Sequence, residues 1–156
     1  MIPIFLDTDI LLDVFAQRAP FYDDSARVLT LVEEHHLVGH TSALIFANLY
    51  YILRRLRSRA VALASLRKLR TLVTVLAVDA QSIDFALQAA FTDFEDAIQY
   101  HTAIHYQLRY LLTRNTDDYQ TADPAKITIC TPTEYLSFWH ASVREPDENP
   151  PSQTTS

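Results

Sequence analysis

The sequence predicts an α/β protein with a mainly parallel central sheet. Three observations support this prediction. Short apolar segments rich in β-branched residues alternate along the chain with segments of helical period, the order that produces parallel sheets. The 156 residues, 49% of them hydrophobic, are enough for one packed core. The only glycine is Gly39, which argues against a fold built on a glycine-rich phosphate loop.

Local signals place the elements in order along the chain. Short apolar or β-branched runs predict strands over residues 2–6, 37–41, 73–78, 110–113 and 127–131. Apolar residues at helical spacing predict helices over residues 9–18, 21–36, 43–57, 59–72, 80–91, the segment after Asp93, and 133–139. Helix starts are marked by side chains that cap or begin a first turn, namely Ser42, Ser58, Asp79, Asp93 and Pro132. We therefore expect one domain over residues 1–140 and a disordered, proline-rich polar tail over residues 141–156.

The composition limits the compartment and the class of site. The N-terminus has no basic start and no long apolar run, so we expect neither a signal peptide nor a membrane span. Cys130 is the only cysteine, which excludes an intrachain disulfide and a multi-cysteine zinc site. It lies in a predicted buried strand, where a thiol is inert. These features predict a cytoplasmic protein.

The charge is distributed unevenly. The net charge of −6 by itself opposes binding to nucleic acid, because phosphate contacts need cations. Seven of the 13 lysines and arginines nevertheless lie between residues 54 and 70. This stretch is either the solvated face of two helices or a basic patch for RNA on an otherwise acidic protein. The sequence leaves both interpretations open.

Acidic residues gather where predicted strands or helices begin or end. The three groups are Asp7 with Asp9; Asp93, Glu95 and Asp96; and Asn115 with Asp117 and Asp118. In a parallel sheet ligands bind beyond the carboxyl ends of the strands, so the first and third groups meet if their strands are neighbours. Clustered carboxylates repel one another and favour a bound cation, and their hard oxygen atoms suit Mg²⁺ or Mn²⁺. Taken singly, Asp9 and Asp93 are equally well explained as helix caps.

Four segments resemble the PIN-domain family, especially the VapC-like ribonucleases of toxin–antitoxin pairs. They are FLDTDILLD at the start, DFEDAIQYHTAI, LLTRNTDDY and the closing CTPTEYL, so the resemblance runs from Ile4 to about Tyr135. The resemblance implies a three-layer α/β/α sandwich that hydrolyses RNA phosphodiester bonds with one or two divalent cations. It also implies a homodimer and a cognate antitoxin protein as partner.

The resemblance assigns roles to individual positions. Asp7 and Asp96 match the best-defined metal-binding acids, and Asn115 and Asp118 match the less certain C-terminal members of the catalytic set. The remaining candidate metal ligands are Asn48, Asp9, Asp93 and Glu95. The candidate RNA-binding residues are Arg54, Arg55, Arg57 and Arg114.

One departure from the family pattern affects the metal site. Many PIN nucleases carry a glutamate on the helix after the second strand, and Asn48 occupies that position here. An amide oxygen coordinates a cation but adds no charge, so metal binding should be weaker unless Asp9, Asp93 or Glu95 compensates. This departure keeps a second function open, that of a non-catalytic module which binds RNA or a protein.

Other interpretations rest on fewer residues. The hydrophobic-Asp-x-Asp pattern at Asp7 also occurs in haloacid-dehalogenase-like phosphatases, but the chain is short for that fold and its lysines, Lys68 and Lys126, lack a phosphate-binding context. His101 and His105 are four residues apart on a predicted helix, a spacing that permits zinc binding but is commoner on an ordinary helix face. Aromatic residues that stack on bases in some proteins and fill cores in others are Tyr50, Tyr51, Tyr100 and Tyr106.

Overall fold

A computed structural model describes residues 1–144 of the chain. Its centre is a five-stranded sheet in which all pairs of neighbouring strands are parallel. The strands are β1 (Ile2–Leu6), β2 (Leu37–Ser42), β3 (Val73–Leu76), β4 (Tyr110–Leu112) and β5 (Thr128–Cys130). Their order across the sheet is β3-β2-β1-β4-β5. The predicted α/β class and parallel sheet are confirmed.

Helices cover the sheet and complete a three-layer α/β/α sandwich. They are α1 (Thr8–Phe15), α2 (Tyr22–Glu33), α3 (Ala43–Leu56), α4 (Arg59–Leu72), α5 (Ala80–Gln88), α6 (Phe94–His105) and α7 (Pro132–Arg144). A short 3-10 helix, Thr116–Tyr119, lies between β4 and β5. Among these helices none is long and apolar enough to cross a membrane.

The first strand forms the middle of the sheet. β1 pairs with β2 along one edge and with β4 along the other. Helices cover both faces of the sheet, and Ile4, Phe5 and Leu6 are fully buried. A central parallel strand buried on both faces is apolar at successive positions rather than at alternate ones. This explains the uninterrupted apolar run at the start of the sequence.

The predicted caps form at the expected places. The side chains of Ser42, Ser58, Asp79 and Asp93 accept hydrogen bonds from backbone N–H groups three residues ahead, at 2.9 to 3.2 Å. Each bond satisfies a donor that the first turn of a helix leaves unpaired. The cap of α1 is Asp7, which accepts from Thr8 at 2.8 Å. The interpretation of Asp9 as a helix cap was wrong, because Asp9 lies inside the first turn of α1.

Several boundaries differ from prediction. Helices α1, α2 and α5 each end three residues early, at Phe15, Glu33 and Gln88. Strand β3 ends at Leu76 and not at residue 78, and the polar loop after β4 contains the 3-10 helix. Helix α7 continues to Arg144, so the tail boundary at residue 141 was wrong for residues 141–144. The helix extends because Trp139 packs against the core and the first proline after Pro132 is at position 146. The rest of the predicted tail, residues 145–156, lies outside the described residues.

Candidate metal centre

The sheet order brings two acidic regions of the chain together. β1 and β4 are neighbours, with Leu6 opposite Leu112, and the backbone N–H of Asp7 donates to the carbonyl of Leu112 at 3.0 Å. Asp7 therefore lies where β1 gives way to α1 and beside the start of the loop that follows β4. The sequence analysis predicted that the first and third acidic groups would meet if their strands were neighbours, and β1 and β4 are neighbours.

A buried tyrosine joins this region to helix α6. The hydroxyl oxygen of Tyr119 lies 3.0 Å from Oδ2 of Asp7 and 3.4 Å from Oδ1 of Asp96. Two carboxylates on either side of one hydroxyl are closer together than the ~10 Å beyond which acids cannot share one or two cations, given ligand distances of ~2.0–2.6 Å. Tyr119 was not among the predicted site residues.

Both carboxylates resist ionisation. Burial, and then the charge of Asp9, raises the pKa of Asp7 from 3.8 to about 7. Burial, followed by the charges of Asp7, Asp93 and Asp118, raises the pKa of Asp96 from 3.8 to about 8. Burial and the neighbouring carboxylates also raise the pKa of the Tyr119 hydroxyl well above 10. At neutral pH the hydroxyl keeps its single proton, so it donates to one carboxylate at a time, and its oxygen can accept from a carboxyl group that is protonated.

The other acids of α6 and the β4 loop take different positions. Asp93 is exposed, and its side chain caps α6 by accepting from the N–H of Asp96 at 2.9 Å, as in the simpler of its two predicted roles. Asp118 is half-buried on the 3-10 helix, and its charge reaches Asp96. Asp118 therefore lies near the pair formed by Asp7 and Asp96, whereas Asp93 already has a structural role.

Asp9 faces the loop after β4. Its Oδ2 accepts from the backbone N–H of Arg114 at 3.0 Å, from the hydroxyl of Thr113 at 3.4 Å and from the side-chain amide of Asn115 at 3.3 Å. Its Oδ1 is buried and has no hydrogen-bond partner within residues 1–144. Burial raises the pKa of Asp9, and the hydrogen bond from Arg114 opposes the shift. Asp9 thus holds the loop that carries Asn115 against β1 and keeps one free oxygen.

A second contact links α3 to α6. The side-chain amide of Asn48 donates to Oε1 of Glu95. Burial and the charge of Asp93 raise the pKa of Glu95, and the bond from Asn48 opposes this rise. The position that carries a glutamate in many PIN nucleases is therefore an amide here, but a carboxylate from α6 lies directly against it.

Arg114 has a partner that the sequence did not reveal. Its guanidinium lies 2.7 Å (Nε to Oδ2) and 3.1 Å (Nη2 to Oδ1) from Asp13, and Arg18 contacts the same carboxylate at 3.0 Å. Asp13 is fully buried. The guanidinium carbon of Arg114 also lies 4.1 Å from the centre of the Phe21 ring. Asp13 offsets the charge of Arg114, and the predicted role of Arg114 in RNA binding stays a prediction.

The other predicted RNA-binding residues lie away from the acids. Arg54, Arg55 and Arg57 are exposed at the C-terminal end of α3, whereas the N-terminal end of that helix contacts α6 through Ser42 and Gln99 at 2.7 Å. Arg57 lies nine positions beyond Asn48, roughly 14 Å along the helix axis at ~1.5 Å per residue. These arginines form a surface separate from the acidic cluster.

The donors suit a hard cation that keeps most of its water. No group of three His, Cys, Asp or Glu side chains within residues 1–144 has the arrangement of a preformed metal cage. Mg²⁺ does not require one, since it retains several waters and binds through one or two carboxylates. Asp7 is buried and Asp96 is half-buried. This pair, of like charge and with raised pKa values, fits Mg²⁺ or Mn²⁺.

The histidine pair does not form a zinc site in the part of the chain described. The ring centroids of His101 and His105 are 6.1 Å apart, and His101 stacks on Phe85 and contacts the hydroxyl of Ser82 at 3.2 Å. No third ligand of the kind that zinc needs joins them among residues 1–144. The packing of the two histidine rings on one face of α6 accounts for their four-residue spacing.

Comparison with known proteins places this fold in a family. The sequence profile of the PIN domain matches residues 3–117. Similar solved structures include VapBC2 from Rickettsia felis bound to promoter DNA, with 13% identity, a TM-score of 0.63 and coverage of 82% of this chain and 98% of that one. VapC20 from Mycobacterium tuberculosis, a toxin that cleaves the sarcin–ricin loop, has 18% identity, a TM-score of 0.63 and coverage of 76% and 95%.

A third similar structure is VapBC-1 from nontypeable Haemophilus influenzae, with 17% identity, a TM-score of 0.63 and coverage of 85% and 99%. No curated protein matches the chain significantly. At these identities the structures establish the fold alone, but the profile spans most of the chain. Its match leaves the phosphatase interpretation without support: the chain belongs to the PIN-domain family.

Proposed function

We propose that the protein is a divalent-metal-dependent endoribonuclease, the toxin of a toxin–antitoxin pair. The observation that carries the proposal is the shared hydroxyl of Tyr119, which lies between the buried carboxylate of Asp7 and the half-buried carboxylate of Asp96. Two acids whose pKa values rise to about 7 and about 8 ionise together only at a cost in free energy. A bound cation removes this cost, and metal-assisted hydrolysis is the chemistry for which such a pair is suited.

Each residue of the cluster has a distinct task in this proposal. Asp7 and Asp96 hold the cation, and Asp118 and Asn115 lie at the mouth of the cluster. A divalent cation supplies Lewis-acid chemistry, which activates water and offsets charge on the phosphate. Tyr119 orients the two carboxylates through its hydroxyl, and Asp9 fixes the β4 loop through its bonds to Thr113, Arg114 and Asn115.

Glu95 compensates for the missing carboxylate at position 48. Asn48 donates its amide N–H to Glu95, which fixes the Glu95 side chain beside the position where other family members have a glutamate. On this assignment, exchanging the two side chains in an Asn48→Glu, Glu95→Asn double variant should keep Mn²⁺ affinity. Glu95→Gln alone should weaken it, while Asp93→Asn should have a smaller effect because an asparagine still caps α6.

RNA follows the basic surface formed by Arg54, Arg55 and Arg57. These side chains are exposed, and they lie far enough from the acids to bind phosphates remote from the cleavage point. Reversing all three charges should therefore weaken RNA binding and reduce the slope of log affinity against log salt by roughly 0.7 for each phosphate that the protein no longer neutralises. An unchanged slope would show that this surface is only a solvated helix end.

The partners follow from the same family. Several similar structures are toxin–antitoxin complexes, including one from Klebsiella pneumoniae, and we propose a cognate antitoxin and a homodimer for this chain in the cytoplasm. Exposed apolar side chains are available for such contacts, among them Tyr51 and Leu87 at 63% and 70% exposure. Co-expression with the product of a neighbouring small open reading frame, followed by copurification, tests the first of these partners.

A cleavage assay tests the proposed activity. Wild-type protein should cut single-stranded RNA with Mn²⁺ and not with EDTA. Asp96→Asn should lower the rate at least a hundredfold, since removing a metal ligand costs several kcal/mol of transition-state stabilisation, and about 1.4 kcal/mol is tenfold. Asp84→Asn, an exposed carboxylate on α5, is the matched control and should retain full activity.

Asn48 favours one alternative, a non-catalytic module that binds RNA or protein. That alternative predicts RNA binding with equal affinity for wild type and Asp96→Asn, without cleavage in either Mn²⁺ or Mg²⁺. Equal, metal-independent binding without product would replace the nuclease proposal with this one.

A further inference from the structure

A cleft of about 340 Å³ opens beside the acidic cluster. The segment before α2, the β4 loop and the start of α7 form its walls. Its lining residues are Pro20, Phe21, Asp24, Ser25, Arg114, Asn115, Thr131, Pro132 and Thr133. Asn115 belongs to both places, because its amide also donates to Asp9 at 3.3 Å. The cleft therefore shares Asn115 with the candidate site.

One wall offers flat surfaces for stacking. The ring of Phe21 is 42% exposed although the guanidinium of Arg114 covers it at 4.1 Å. Asp13 fixes that guanidinium by binding two of its nitrogen atoms. An aromatic ring and an arginine plane, both held in place before a ligand arrives, are the surfaces on which unpaired RNA bases stack.

The first turn of α2, directly after Phe21, offers hydrogen-bonding groups. The hydroxyl of Ser25 is buried, with the residue 1% exposed, and has no hydrogen-bond partner within residues 1–144. Asp24 accepts a hydrogen bond from Thr133 and keeps further acceptor capacity, since a carboxylate can accept several. A cleft of a few hundred Å³ with apolar walls and a few convergent polar groups has the character of a small-ligand site.

We propose that this cleft binds one nucleobase of the RNA substrate next to the scissile phosphate, stacked on Phe21 and Arg114. This inference rests on the proposed ribonuclease function and names the substrate feature that the site reads. The carboxylate of Asp24 only accepts hydrogen bonds, so it favours a base with an exocyclic amino group. Cytosine and adenine should bind better than uracil, which presents carbonyl oxygen at the corresponding position.

The test measures affinities of single-stranded RNA 12-mers of cytidine, adenosine or uridine for Asp96→Asn, which binds without cleaving. The C or A oligomer should bind about tenfold more tightly than U, the effect of one hydrogen bond to a charged group. Adding Phe21→Ala should remove most of this preference and weaken the better oligomer about 5- to 150-fold, the effect of removing one stacked ring. Adding Phe21→Tyr should preserve the preference.

Two further variants separate the parts of the proposal. Phe138→Ala removes an aromatic side chain of similar exposure, 49%, outside the cleft, and should leave the preference intact. Asp24→Asn introduces an amide donor that can bond to uracil, so U should gain relative to C. Thermal melts verify that each variant is folded.

The outcomes separate a failure of the base-binding cleft from a failure of the proposed ribonuclease function. Equal affinities for all three oligomers, or a preference that survives Phe21→Ala, would overturn the base-binding cleft while wild-type cleavage with Mn²⁺ still supports the nuclease. If wild type neither binds nor cuts RNA, the proposed function fails, and the cleft proposal fails with it.

Discussion

Replacing Asp7 by asparagine should make the metal-free protein more stable at pH 8 although it removes a proposed metal ligand. Burial and Asp9 raise the pKa of Asp7 from 3.8 to about 7, so the folded protein binds the proton more tightly than the unfolded chain does. The contribution of this proton to the free energy of unfolding is then fully present near pH 4 and is lost as the pH rises toward 7. An asparagine carries no charge and still caps α1.

The size of the effect follows from the pKa shift. From pH 5 to pH 7 the folded protein resists ionisation of Asp7 over about two pH units, and each unit corresponds to ~1.36 kcal/mol. The stability of Asp7→Asn relative to wild type should therefore grow by roughly 2–3 kcal/mol between pH 5 and pH 8. For a domain of this size that is a relative rise in melting temperature of roughly 5 to 10 °C.

Thermal melts in EDTA at pH 5 and pH 8 measure this difference, with Asp84→Asn as the exposed control. Mn²⁺ at a hundred times its dissociation constant should then stabilise wild type by about 2.7 kcal/mol at pH 8 and the Asp7 variant by much less. Wild type and Asp7→Asn curves that run parallel from pH 5 to pH 8 would refute the reasoning, since the carboxylate would then carry no folding penalty.

Two further substitutions probe contacts around the cluster. Tyr119→Phe removes the donor shared by both carboxylates and should destabilise the protein in urea by about 1.5–3 kcal/mol at pH 8; the loss should shrink at pH 5, and a pH-independent loss would point to packing alone. Asp13→Ala leaves Arg18 and Arg114 without their buried partner and should cost about 3–5 kcal/mol, whereas a loss below about 1 kcal/mol in the same urea titration would show that the ion pair is screened.

The sequence was most informative where a signal is local. A buried central strand, a helix cap or an acid at the end of a strand depends on neighbouring residues, and Ser42, Ser58 and Asp79 cap their helices as predicted. The position of Asp7 was also predictable, because the strands of a parallel sheet end at one edge. Asp96 was predictable as an acid in the first turn of a helix. Their common hydrogen bond to one hydroxyl was not.

Contacts between distant segments escaped prediction. In the sequence, Tyr119 is the aromatic residue of a polar loop. Its burial depends on the turn of the 3-10 helix and on packing against Phe91, with ring centroids 5.9 Å apart. Asp13 reads as an ordinary residue on α1, because its partner Arg114 is 101 positions away. An acid on the apolar face of a helix was the available signal for Asp13.

The central position of β1 also determines when the acidic cluster can exist during synthesis. Asp7 emerges from the ribosome before Tyr119, which follows 112 positions later. At ~5–20 residues per second this interval lasts roughly 6 to 20 seconds. During that time β1 lacks its neighbour β4 and Asp7 lacks the hydroxyl that orients it. The acidic cluster, and with it the proposed nuclease activity, can therefore form only after the residues around Tyr119 have been translated and β4 has paired with β1.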